Sequence, residues 1–105
     1  MSHQVKAPIG FTKANVTPGT KLALSATHIR CTYVEVAAKR AAADNTGNIF
    51  IGGTGLVAGT AEQVELAPGD VWWREARSGE CFDLYDIYMD ADTATDGVAG
   101  YYIPQ

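Results

Sequence analysis

Basic residues are scarce in this chain, and acidic residues outnumber them. Of 105 residues, 8 are Lys or Arg and 12 are Asp or Glu, which gives a formal net charge of −4 at pH 7. Nucleic acids and anionic membranes are bound by concentrated positive charge, whereas these basic residues are spread along the chain. The composition therefore argues against either as a partner.

Long apolar runs are lacking as well. The sequence has no stretch of about 18 apolar residues that could span a bilayer, and residues 1–13 lack the apolar centre of a secretory signal. We therefore expect the protein to be made in the cytoplasm.

Cysteine and histidine are too few to suggest a metal centre. The two cysteines, Cys31 and Cys81, form no CxxC motif and have no histidine at ligand spacing. A disulfide is not expected in a reducing compartment, so we predict two small apolar side chains in or near the core. No cofactor is predicted.

Short apolar segments alternate with turn signals about every ten residues, which is typical of an all-β domain. We predict a single-domain antiparallel β-sandwich or jelly roll of about seven or eight strands, formed by residues 20–105 behind an extended N-terminal arm of residues 1–19. Residues 37–44 have the best helix propensity, but the segment is too short for more than a single turn. The predicted strands lie near residues 22–26, 32–39, 48–51, 64–66, 71–75, 82–89 and 98–103. In the second of them, alternation places Val34 and Val36 on one face and Tyr33 and Glu35 on the other.

Two turn signals predict hairpins. Asn45-Thr46-Gly47 can adopt the positive φ that tight turns require, so residues 48–51 are expected to return beside residues 34–38. Asp96-Gly97 predicts a last hairpin that leads into the final strand.

Three motifs resemble reactive or binding sites, and for each a structural role is favoured. The acidic residues from Asp83 to Asp96 resemble a calcium loop, but Ala94, Thr95 and Tyr101 stand where an EF-hand needs a ligand, glycine and glutamate. A solvated hairpin loop is therefore expected there. Asp86 is expected inside a strand with its carboxylate facing an edge.

His28 near Ser25 lacks a catalytic motif, and His3 lies in the arm. The glycines at 52, 53 and 55 precede no phosphate-binding sequence. We predict no catalytic and no metal-binding residue.

The remaining candidates are aromatic. Strand periodicity places Trp73 and Val71 on one face and Trp72 on the other, so one tryptophan can face the core while the other needs cover. Phe11, Trp72, Tyr101 and Tyr102 are predicted interface residues, because Trp and Tyr are enriched where protein surfaces meet. The alternative is that they close the ends of the sandwich.

Six segments follow one another in this chain: KLALSA, VEVAAKR, NTGNIFIGG, LAPGD, LYDIYMD and the final GV…YYI. Their order resembles that in small bacteriophage virion proteins of the head decoration, capsid cement or head fibre type. The resemblance covers residues 20–103. It implies a jelly-roll or sandwich subunit, usually a homotrimer, which binds the major capsid protein lattice on the outside of the virion and has no enzymatic activity.

Two other functions remain open at this stage. A carbohydrate- or host-surface-binding module would stack Trp72 and a tyrosine on a sugar ring. A cupin-like enzyme would require metal ligands that two histidines do not supply.

Overall fold

The computed structural model describes residues 7–14, 17–39 and 46–105, and almost all of its regular structure is β-strand. A single 3-10 turn, Leu84–Asp86, interrupts the strands, and no helix in the described part is long and apolar enough to cross a membrane. The predicted all-β class is confirmed. The strands are β1 (Ile9–Ala14), β2 (Leu22–Ala23), β3 (Arg30–Ala38), β4 (Ile49–Gly52), β5 (Val64–Leu66), β6 (Val71–Glu75), β7 (Phe82–Asp83), β8 (Tyr88–Ala91) and β9 (Gly97–Pro104).

The strands form two antiparallel sheets packed as a sandwich. The larger sheet has the order β1-β9-β3-β6, with β7 paired to the start of β3, and the smaller sheet has the order β2-β8-β4-β5. The core lies between them, where Val34 and Val36 of β3 and Ile49, Ile51 and Met89 of the smaller sheet are fully buried. Burying each such side chain contributes about 1.5–3 kcal/mol, so this interface is the main source of stability.

The prediction that residues 48–51 form a hairpin with β3 is wrong. The strand β4 pairs with β5 and β8 in the smaller sheet, so the chain changes sheets between β3 and β4. The physical reason is that all four residues of β4 are buried, as expected for a central strand covered on both faces. Of the predicted turn, Asn45 lies outside the described residues.

The predicted last hairpin is also wrong, because β8 belongs to the smaller sheet and β9 to the larger one. The turn before β9 is instead a crossing between sheets. Residues 82–89 do not form one long strand either. The Asp83 side chain accepts a hydrogen bond from the Tyr85 N–H, which starts the 3-10 turn and places Asp86 on an exposed turn, outside the strands.

Residues Ile9–Ala14, which were predicted to belong to the arm, form strand β1, which pairs with residues 97–102 of β9. Close approach is possible because β9 carries glycines: a Cβ added at Gly97 would lie 2.3 Å from the Lys13 carbonyl oxygen, and one at Gly100 would lie 2.1 Å from that of Glu35. Residues 1–6, including His3, lie outside the described residues. So do residues 40–44 of the helix-prone segment, whereas Ala37 and Ala38 belong to β3.

Candidate interaction surface

The four predicted interface residues do not lie on one surface. Tyr102 is a core residue with 9% exposure, and Phe11 and Trp72 are partly buried against the core. Phe11 contacts Tyr102 with ring centroids 6.3 Å apart. Tyr101 alone of the four lies on the outward face of the larger sheet, opposite the side that packs on the core.

Tyr101 belongs to a row of three rings, which we call the aromatic ladder: Tyr101 on β9, Tyr33 on β3 and Trp73 on β6. Ring centroids are 5.7 Å apart between Tyr101 and Tyr33 and 6.1 Å apart between Tyr33 and Trp73. The rings are close to parallel, with interplanar angles of 26° and 16°. Because β9, β3 and β6 are adjacent strands, the ladder crosses the sheet and ends at its β6 edge.

Register explains the ladder. Glu35 of β3 pairs directly with Tyr101 of β9 on one side and with Trp73 of β6 on the other. Tyr33 lies two residues before Glu35 and therefore on the same face of β3. The Tyr33 hydroxyl leans back to donate a hydrogen bond to Glu35 Oε1 at 3.2 Å. Diagonal cross-strand neighbours of this kind are within reach of aromatic side chains, so two tyrosines and a tryptophan on alternate positions form a continuous row.

The ladder is apolar and carries acidic groups beside it. The pKa of the Tyr33 hydroxyl is raised to about 12, first because partial burial disfavours the phenolate and then because hydrogen bonds to Tyr101 and Glu35 favour the protonated form. Trp73 is 58% exposed and Val71, two residues earlier on the same face, is 51% exposed. A partner that covers this surface would bury its aromatic rings and could donate hydrogen bonds to its carboxylates.

Sequence reasoning missed Tyr33 and Trp73, although the signal was present. The alternation of β3 correctly placed Tyr33 and Glu35 opposite the buried Val34 and Val36. What periodicity cannot tell is which side of β6 meets the second sheet, and so whether Trp72 or Trp73 faces outward.

His28 and Asp83 form a surface pair that was not foreseen. His28 Nδ1 lies 2.8 Å from Asp83 Oδ2, and Asp83 Oδ1 accepts hydrogen bonds from the Ile29 and Tyr85 N–H groups, each at 2.9 Å. Burial of the Asp83 carboxyl raises its pKa, but these two N–H groups and the His28 ring outweigh that effect, so the pKa lies below its ordinary value. The Ser25 hydroxyl donates at 2.7 Å to a carbonyl two residues ahead. The arrangement joins the loop before β3 to the 3-10 turn.

Acidic residues in β8 and in the loop that follows it accept hydrogen bonds from backbone N–H groups. Asp96 is 2% exposed, and its Oδ2 accepts hydrogen bonds from the Thr46 N–H at 3.0 Å and the Gly47 N–H at 2.7 Å. Asp90, also buried, accepts from the Gly19 N–H at 3.1 Å. The expected solvated hairpin loop is therefore a pair of buried loop anchors. Over residues 7–14, 17–39 and 46–105, no three His, Cys, Asp or Glu side chains are grouped to hold a metal ion.

The cysteines differ from each other. Cys31 is fully buried, and desolvation, with smaller contributions from the charges of Asp83 and Cys81, raises the pKa of its thiol to about 12. Cys81 is exposed, so the prediction that it lies in or near the core is wrong. Its position follows the turn that precedes β7, where the side chain meets solvent. Both thiols are free.

The glycine-rich segment after β4 is a turn covered by an apolar side chain. Leu56 packs over Gly52, where an added Cβ would lie 3.1 Å from Leu56 Cδ1. Gly53 and Gly55 have open space around them. The described part of the chain encloses no pocket.

Comparison with known proteins gives no relative from which a function could be transferred. No protein-family model, no curated protein and no solved structure matches this chain.

Proposed function

We propose that this chain is a non-enzymatic structural protein of a bacteriophage virion, a decoration or cement protein that binds major capsid subunits on the outer surface of the head as an oligomer. The resemblance described above implies a homotrimer. The observation that carries the proposal is the aromatic ladder, a row of three near-parallel rings on the outward face of the larger sheet, in which Trp73 is exposed and the two tyrosines are partly buried. Such surfaces are typical of sites where proteins meet.

The ladder can contribute substantial binding free energy. Trp73 is 58% exposed, which for a tryptophan of about 250 Å² leaves roughly 145 Å² to be covered by a partner. At about 25 cal/mol per Å², covering it would contribute about 3–4 kcal/mol before the costs of association. Trp73 is therefore the expected hot spot of the interface. Repetition of the contact over a symmetric shell would turn a weak single contact into stable attachment.

The test is binding to capsid shells that lack this protein, prepared from the virus that encodes it. The wild-type chain should co-sediment with the shells at saturable stoichiometry, and Trp73→Ala should weaken binding by about tenfold or more. Tyr85→Ala is the matched control, because Tyr85 is an exposed aromatic residue outside the ladder. A chain that does not bind shells, or that binds equally well without Trp73, would contradict the proposal.

A second candidate, a carbohydrate-binding module, is favoured by the near-parallel rings of the ladder. The exposed ring of Trp73 can stack on a sugar ring, and Glu35 offers a hydrogen-bond acceptor beside the ladder. A glycan array probed with the wild-type chain and with Trp73→Ala separates this candidate from the first. Saturable binding of one glycan class that disappears in Trp73→Ala would favour it, and an array without signal would remove it.

A further inference from the structure

Strand β6 lies at one edge of the larger sheet as the described residues form it. Within the described residues it pairs with β3 alone. Edge strands of monomeric proteins are commonly protected by proline, charged side chains or a bulge. Strand β6 has no proline and pairs without a register shift, and its two charged residues, Arg74 and Glu75, lie at its end and leave residues 71–73 uncharged. The edges of the smaller sheet, β2 and β5, have only 2 and 3 residues, which makes them poor templates for pairing.

The hydrogen bonds that flank β6 show which of its backbone groups point away from β3. The Ala38 N–H donates to the Asp70 carbonyl at 2.9 Å, and the Ala76 N–H donates to the Thr32 carbonyl at 2.8 Å. In an antiparallel pair, such hydrogen-bonded positions recur at every second residue. Residues 72 and 74 therefore bond to β3, and the backbone groups of residues 71, 73 and 75 point outward.

The outward backbone groups of one β6 strand can pair with those of a second copy when the two strands are centred on Trp73. In an antiparallel pairing of two β6 strands centred there, residue 73 meets its own copy and residue 71 meets residue 75 of the second copy. Each of these three positions is a hydrogen-bonded pair. The two aromatic ladders then join edge to edge into one row of six rings.

The side chains match in this register. Glu75 faces the apolar Val71 of the second copy on the outward face, and Arg74 faces Trp72 on the other, where a guanidinium can stack on an indole ring. No two like charges are placed directly opposite each other, although the chain carries a net charge of −4. Among possible occupants of the edge, a second copy of this chain satisfies both the backbone and the side chains.

We infer that two copies of this chain associate through their β6 edges, antiparallel and about a two-fold axis at Trp73. This contact deepens the proposed function by supplying one way in which copies meet on a shell. It is compatible with a trimer built elsewhere, since β1 lies at the opposite edge of the sheet. A five-residue edge is smaller than a standard interface of about 1,600 Å², so the dimer is weak in solution and gains from multivalency on a lattice.

The register can be tested by placing a charged residue at position 71. Val71 is 51% exposed, so water can solvate either a positive or a negative side chain there. Val71→Glu places a carboxylate opposite Glu75 of the second copy twice per dimer, whereas Val71→Lys places an ammonium group there. Sedimentation equilibrium of the full chain from about 10 μM to about 1 mM should show a dimer that is about tenfold or more tighter in Val71→Lys than in Val71→Glu. The difference should shrink at high salt, and Trp73→Ala should weaken the dimer in either background.

Amide hydrogen exchange gives an independent measure. Dimerisation should slow exchange at residues 71, 73 and 75, while residues 72 and 74 are already protected by β3 in the monomer. Thermal unfolding at low concentration checks that the variants fold.

A chain that stays monomeric over this range, or equal association of the Glu and Lys variants, would overturn the inference. So would a trimer that neither substitution affects, and that result would leave the proposed function standing. Absence of shell binding with the dimer intact would support this contact and count against the proposed function alone.

Discussion

Trp72 and Trp73 are adjacent in the chain but have different roles, one in the core and one on the surface, and alanine substitution can separate these roles. Trp72 packs against the core, and Trp73 stands in the aromatic ladder with 58% of its surface exposed. Trp72→Ala should therefore reduce the stability of the fold, whereas Trp73→Ala should reduce binding and change stability much less.

The expected sizes follow from burial. Replacing a core tryptophan by alanine lowers the free energy of unfolding by about 3–5 kcal/mol, and for the partly buried Trp72 we expect about 3 kcal/mol. Trp73 loses mainly its stacking with Tyr33, worth about 1 kcal/mol. In a domain of this size, these losses lower Tm by roughly 12–24 °C for Trp72→Ala and by roughly 4–8 °C for Trp73→Ala.

The assay is urea and thermal unfolding followed by far-UV circular dichroism, at a concentration low enough to keep the chain monomeric. Fluorescence adds a check, because each variant keeps one tryptophan. The Trp72 that remains in Trp73→Ala should emit at shorter wavelength than the Trp73 that remains in Trp72→Ala. Equal losses of stability, or a larger loss in Trp73→Ala, would refute the assignment of the outward face.

Three further predictions concern the loops and strands that hold this face in place. Asp96→Ala should lower the free energy of unfolding in urea by about 3 kcal/mol, because two backbone N–H groups lose a buried charged acceptor. Gly100→Ala should cost at least about 3 kcal/mol in the same assay, since its Cβ would meet the Glu35 carbonyl, while Gly53→Ala, which has open space, should be nearly neutral. The lowered pKa of Asp83 stabilises the fold above the ordinary value of 3.8, and this contribution is lost as pH falls through the folded-state pKa; the Tm of Asp83→Asn should therefore fall less than that of the wild type below about pH 4. An Asp96→Ala protein as stable as the wild type, equal costs at the two glycines, or parallel pH profiles would contradict the respective prediction.

The fold class could be predicted because it depends on local pattern. Alternation along β3 correctly separated the buried Val34 and Val36 from the outward Tyr33 and Glu35. The strands that pair with β4 could not be predicted in this way, because a turn signal indicates that the chain reverses but not which sheet the next strand joins. The buried role of Asp96 depends on two amides about fifty residues earlier in the chain, which no local pattern contains.

The candidate surface was only partly accessible from the sequence for the same reason. Tyr101 was identified as an interface candidate from its residue type alone. Its neighbours in the ladder, Tyr33 and Trp73, come from two other strands and meet it only through the register of β9, β3 and β6. Gly100 likewise has an identifiable role only once the Glu35 carbonyl is placed beside it.

Hydroxyl-radical footprinting of the chain, free and bound to capsid shells, tests most directly whether the outward face of the larger sheet is the binding surface. Trp73 and Tyr101 should become protected on binding, while Tyr85, exposed on the 3-10 turn, should react as before. Protection of Tyr85 with Trp73 and Tyr101 still fully reactive would contradict this prediction.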